Sequence, residues 1–192
     1  MESSRAWRQS IAYLLPVFFL FSFSLQAFQV AFLKLKQRNG DPILLEPGVP
    51  YSHVAISFGD AWLHASPRKG VVELSWSLES IGEVHAILSN SREPELELLQ
   101  ILPVLGLPYD QDYDWDTGDR LYCSELVAKL LEIPPQPMAF DPGLWPERFL
   151  EKNGKPGLSP SDLFKELQKM GYNEEFVESS AATCELASSA QT

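Results

Sequence analysis

Tyr51-Ser52-His53-Val54-Ala55-Ile56-Ser57-Phe58-Gly59-Asp60-Ala61-Trp62-Leu63-His64-Ala65 is the stretch that decides the fold. Residues 52–58 are apolar enough for a buried strand, Gly59-Asp60 supplies a tight turn, and residues 61–65 return as a second strand. Residues 71–74 and 83–88 carry the β pattern onward, and residues 43–45 precede it as a short strand after the turn Asn39-Gly40-Asp41-Pro42. The periodicity then changes. Residues 93–105 place Leu96, Leu98, Leu99, Ile101 and Leu102 at helical spacing, with a stop near Pro103 and Gly106. Residues 107–120 read as an acidic, aromatic loop and 124–131 as an amphipathic helix ended by Pro134-Pro135-Gln136-Pro137. The chain to Gly157 reads as mostly irregular, and Ser159-Pro160-Ser161-Asp162 opens a last helix reaching Met170. A sheet followed by helices to cover it is an α+β domain.

Outside this region the ends differ in character. Arg5 and Arg8 precede an apolar run over residues 11–25, and Leu25-Gln26-Ala27 offers a small residue for cleavage. That order predicts a signal peptide over residues 1–27. Apolar character continues to Leu33, so a retained anchor to about residue 33 competes, since about 20 residues span a bilayer. Both readings put a domain at residues 34–177 outside the cytoplasm, periplasmic or secreted. Residues 178–192, rich in Ser, Ala and Thr, read as a flexible tail. The net charge of −11 excludes a nucleic-acid binder, which needs clustered Lys and Arg, and leaves membrane contact only to a retained N-terminal segment. Cys123 opens a helix while Cys184 lies in the tail, so no structural disulfide is expected.

The chemistry centres on Leu121-Tyr122-Cys123-Ser124-Glu125-Leu126-Val127. A cysteine at a helix N-terminus faces unpaired N–H groups and the positive end of the helix dipole, which stabilise a thiolate and can hold an oxyanion. Such a nucleophile needs a base and a group that orients the base. His53 and His64 stand at opposite ends of the hairpin strands, and antiparallel pairing brings those ends together. His85 has no such company and reads as structural.

Gly40-Asp41, Tyr51-Ser52-His53-Val54, Leu105-Gly106-Leu107-Pro108-Tyr109-Asp110 and Arg120-Leu121-Tyr122-Cys123-Ser124-Glu125-Leu126-Val127, in that order, resemble the YiiX/YebB-like group. These are circularly permuted members of the NlpC-type papain-like superfamily, in which the His strand precedes the Cys helix. The resemblance runs from about Gly40 to Phe164. It implies a permuted papain-like fold: a small antiparallel sheet or barrel packed against helices. It also implies Cys123 as nucleophile, His53 as base and His64 as the third, polar member, a position that is typically Glu in YiiX-like proteins and often His in non-permuted relatives. Glu73 or Asp60 could contribute to that role.

The implied activity is hydrolysis of an amide through a thioester, with a cell-wall peptide, a small amidated molecule or a lipid amide as substrate and no cofactor. Tyr51 and Tyr122 are expected to line the cleft, and Asp110 to contact substrate. Lipid ester hydrolysis or acyl transfer is a second reading, and a non-catalytic binding module a third. Asp110, Asp112, Asp114 and Asp116 alternate suggestively, but neither a glycine at the sixth loop position nor a Glu at the twelfth is present, so no metal is expected. Trp115 is expected to cover the core.

Overall fold

The computed structural model describes residues 28–93 and 95–175. Six strands form one antiparallel sheet: β1 (Phe28–Lys34), β2 (His53–Phe58), β3 (Ala61–Ser66), β4 (Val71–Ser75), β5 (Glu83–Asn90) and β8 (Asn173–Glu175), in the spatial order β4-β3-β2-β1-β5-β8. The helices are α1 (Leu98–Ile101), α2 (Cys123–Leu130), α3 (Glu147–Leu150) and α4 (Pro160–Lys169). A two-residue pairing of β6 (Gln136–Pro137) with β7 (Pro156–Gly157) closes the loop between α2 and α4.

β2 and β3 join through Gly59-Asp60, with Phe58 opposite Ala61 and Gly59 at φ +53°, a conformation glycine adopts without a Cβ penalty. The hairpin alternates, as period 2 requires. Val54, Ile56, Leu63 and Ala65 face the helix layer, together with Leu126 and Val127 of α2 and Leu163 and Leu167 of α4. Ala55, with Ala31 and Leu33 of β1, faces a smaller cluster built on Leu78 and Ile81.

β1 is where the sequence reading is corrected. It lies at the centre of the sheet, pairing Phe32 with Val54 on one side and Ala31 with Ile87 on the other. Val30, Ala31, Phe32 and Leu33 are all fully buried. A strand covered on both faces reads as an unbroken apolar run and not as an alternation, so its sequence looks like a continuation of the apolar N-terminus. Residues 28–33 therefore belong to the sheet, ahead of the residue 34 at which the sequence places the start of the domain. Residues 1–27, where the signal-peptide reading falls, and the tail with Cys184 lie outside the described residues. No helix among the described residues is long and apolar enough to cross a membrane.

Two smaller expectations also change. Residues 43–45 form no strand; the chain makes one bridge, Lys36 to Pro42, and Ile43 N–H donates to the Leu35 carbonyl at 2.9 Å. Pro42 has no N–H with which to extend a ladder. The helix expected over residues 93–105 contracts to α1, in which Gln100 Oε1 accepts the Glu97 N–H at 2.8 Å. Leu96 and Ile101 are buried and Leu105 packs partly against the core, but Leu98, Leu99 and Leu102 are exposed, Leu99 at 76%, so a longer helix has no continuous face to bury.

Candidate active site

The paired stretch of β2 and β3 runs from Phe58↔Ala61 to Ile56↔Leu63, and His53 and His64 lie beyond it, where the strands part. Both imidazoles are buried, and His53 Nε2 meets His64 Nδ1 at 2.9 Å. On the far side His64 Nε2 approaches Glu73 Oε1 at 3.6 Å, and the other Glu73 oxygen pairs with Lys69 Nζ at 2.7 Å. β4 places Glu73 there because it stands directly opposite His64 in the ladder.

A carboxylate beside His64 Nε2 favours the proton on that nitrogen. His64 Nδ1 is then an acceptor and His53 Nε2 the donor, so His53 Nδ1 is left with its lone pair. Among the described residues His53 Nδ1 is buried and has no hydrogen-bond partner. Burial pushes the His53 pKa down to about 3, with the neighbouring His64 and Arg68 acting in the same direction. Burial likewise takes His64 down to about 4 against the pull of Glu73. Both rings are therefore neutral at pH 7.

Cys123 is the first residue of α2, which packs on β2 and β3. The helix start is held from three directions. Glu125 Oε2 accepts the Tyr122 N–H at 3.2 Å, Ser124 Oγ donates to the Leu158 carbonyl at 2.7 Å, and Tyr122 Oη accepts the Leu158 N–H at 3.0 Å. Glu125 is itself buried; desolvation raises its carboxyl to about 7 although Lys129 Nζ sits 2.7 Å away.

The thiol departs from expectation. Desolvation raises Cys123 to about 11, while hydrogen bonds from the N–H groups of Val54, Ser124 and Cys123 lower it only in part. A helix terminus by itself lowers a thiol pKa. The amides are present, but a sulfur only 3% exposed loses more from the absence of water than it gains from them. The resting pair is thus thiol and imidazole, and no hydrogen bond joins them. The Val54 amide beside the sulfur belongs to the residue that follows His53.

Two clefts open at this point. One, of about 210 Å³, contains Cys123 and Ser124 and is walled by Tyr113, Tyr122, Met138, Phe140, Trp145 and Leu158, with Glu46 and Asp162 on its rim. The other, of about 290 Å³, contains His53 and His64 and is bounded by Ser66, Arg68, Lys69 and Glu73. The division follows strand parity. Leu33, on the face opposite the helices, is the register partner of His53, whereas Phe32 and Val54 face α2.

Of the other expected site residues, Tyr122 lines the first cleft. Tyr51 does not; it is buried, with its ring 5.2 Å from Phe32 and 5.7 Å from Phe164. Asp110 does not either. Its carboxylate is wholly buried and accepts the N–H groups of Asp112 and Asp114, so it builds the loop before α2. His85 lies 5.2 Å from Tyr51, apart from the site, and Trp115 packs against the main core with Lys129 Nζ 5.4 Å from its ring. Among the described residues no three His, Cys, Asp or Glu side chains converge as a metal centre requires. The wall formed by residues 136–158 escaped the sequence reading because Met138, Phe140 and Trp145 have neither strand nor helix periodicity.

No family model matches the chain, and no curated protein matches it. Among solved structures the chain is similar to the crystal structure of the metalloprotein yiiX from Escherichia coli O157:H7, with a TM-score of 0.56 and 21% identity over 80% of this chain and 97% of that one. The two share a fold, which agrees with the YiiX-like resemblance of the motifs.

Proposed function

We propose that this protein is a papain-like cysteine hydrolase of the permuted NlpC type, acting outside the cytoplasm on an amide bond through a thioester at Cys123. The observation that carries the reading is the ordered row Glu73–His64–His53, which leaves a neutral, buried Nδ1 without a partner, on the residue before Val54, whose amide lowers the Cys123 thiol pKa. A base presented in a fixed tautomer next to a nucleophile is what general-base activation needs, and such hydrogen bonds often tighten only when substrate binds.

In this mechanism His53 Nδ1 takes the Cys123 proton as sulfur attacks the carbonyl carbon. The N–H groups of Cys123, Ser124 and Val54 stabilise the developing charge. The C–N bond breaks, and His53 returns the proton to the leaving amine. Water, deprotonated by His53, then attacks the thioester; the carboxylic acid departs and the thiol is restored. His64 orients the base, and Glu73 orients His64.

One observation favours the binding-module reading: Cys123 and the histidines open on different clefts, with no bond between them. Alkylation by iodoacetamide decides between the two. The hydrolase reading expects His53→Asn to slow alkylation of Cys123 at pH 7 at least tenfold. Equal rates in both proteins mean the histidine does not act on the thiol, and the binding module stands.

A further inference from the structure

The two clefts differ in chemistry as well as position. The one on the cysteine side has an aromatic wall facing Ser124, Gln136 and Ser159: Tyr113, Phe140 and Trp145 interlock edge to face, Trp145 with Tyr113 at 5.2 Å and with Phe140 at 4.9 Å. Met138 and Leu158 complete that wall. Its charged rim residues, Glu46 and Asp162, are both acids. The one on the histidine side has no aromatic wall; Ser66, Arg68, Lys69 and Glu73 surround the imidazoles, with Leu35 and Ile81 beside them.

Resting on the hydrolase reading, we infer that the substrate is an amide joining a compact, uncharged apolar acid to a polar amine, with the acyl half in the cysteine-side cleft and the amine in the histidine-side cleft. The assignment of halves follows from the chemistry. The acyl group ends bonded to sulfur, so it must occupy the space that Cys123 opens on. The amine leaves with a proton from His53, so it departs through the space that His53 opens on. Size follows from the volume. A dry cavity of about 150 Å³ lined by apolar side chains holds a benzene, so about 210 Å³ suits an aryl-acetyl or short alkyl-acyl group. Charge follows from the lining: Asp162 is paired with Lys165 Nζ at 3.2 Å, whereas Glu46, bonded to Ser161 Oγ, has no cationic partner among the described residues and opposes an anionic acyl group.

Gly157 provides the means to test the wall. A Cβ at this position would collide with Met138 Cγ and Sδ, so Gly157→Ala drives the flexible Met138 side chain from its place and alters the wall. Met138→Ala instead enlarges the cleft. The full-length protein, wild type and each variant, is assayed with p-nitrophenyl esters of phenylacetic, hexanoic, acetic and succinic acids. Sulfur bonds the acyl carbon, the C–O bond breaks and nitrophenolate leaves, so release reports acylation whatever the natural amine. Intact mass locates the adduct.

Phenylacetyl and hexanoyl are expected to acylate Cys123 at least tenfold faster than acetyl and a hundredfold faster than succinyl. Gly157→Ala should change the phenylacetyl-to-acetyl ratio several-fold, Met138→Ala should shift the preference toward larger acyl groups, and Glu46→Gln should narrow the gap to succinyl. Succinyl matching phenylacetyl, acetyl outrunning both apolar donors, or ratios that none of the three variants moves would overturn the inference while leaving Cys123 a nucleophile. Failure of every ester to label Cys123 removes the hydrolase reading itself, and the substrate assignment with it.

Discussion

Replacing His64 by asparagine removes one of two imidazoles that the fold holds neutral, while the amide oxygen can still accept the His53 Nε2–H. The consequence for acid stability follows from proton linkage. An unfolded histidine titrates near 6.5, whereas burial lowers His53 to about 3 and His64 to about 4. Below pH 6.5 the unfolded chain therefore binds protons that the native chain refuses. The stability these groups confer is complete above 6.5 and is lost as pH falls toward their native values. Between pH 7 and pH 5 each neutral buried imidazole costs the native state about 2 kcal/mol, a figure set almost wholly by the unfolded pKa because both native values lie below 5. Glu125 works in the opposite sense, since its carboxyl, raised to about 7, takes up a proton in the native state as pH falls. That contribution is common to wild type and variant and cancels in the comparison. Urea unfolding of both proteins at pH 7 and pH 5 is the assay. The wild type should lose about 2 kcal/mol more than His64→Asn over this interval. Parallel losses, within about 0.5 kcal/mol, would refute the neutral relay and point to a His64 cation held by Glu73.

A chain starting at Phe28 should unfold cooperatively in urea, whereas one starting at Lys34 lacks the central strand and should show no cooperative transition. Phe32→Ala in the intact chain should cost about 3–5 kcal/mol, the usual loss for a buried phenylalanine; a loss under 1 kcal/mol would contradict a central β1. Glu73→Gln should lower kcat on a phenylacetyl ester several-fold with KM little changed, because Glu73 orients His64 and the ester carries no amine for it to contact. An effect confined to KM would instead place Glu73 against the substrate. Tyr122→Phe removes the acceptor of the Leu158 N–H and should cost about 1–2 kcal/mol, measured by thermal unfolding.

Much of this arrangement was legible in the sequence wherever a local signal carried it. The β2–β3 hairpin was readable because Gly59-Asp60 sits between two apolar runs, and it places His53 beside His64. α2 was readable from its amphipathic spacing, which put Cys123 at its start. β1 was not legible as a strand, because burial on both faces erases alternation and merges it with the apolar run before it. α1 was over-read, since leucines at helical spacing say nothing about whether a partner face exists. At the site, residue types predicted the amides around Cys123 but not the depth of its burial, which reverses the sign of the thiol shift. Asp110 looked like a ligand-facing acid, yet its carboxylate is consumed by the turn that follows it. The aromatic wall depends on Met138, Phe140 and Trp145 meeting through an irregular loop, which no periodicity encodes.

The most direct test of the central claim is to trap the acyl-enzyme. The full-length protein is mixed with the phenylacetyl ester, quenched in acid within one turnover, and digested for peptide mass analysis. One phenylacetyl group is expected on Cys123, formed at least tenfold more slowly in His53→Asn and released by hydroxylamine as a thioester should be. Acylation confined to Cys184, or labelling of Cys123 at the same rate with His53 replaced, contradicts it.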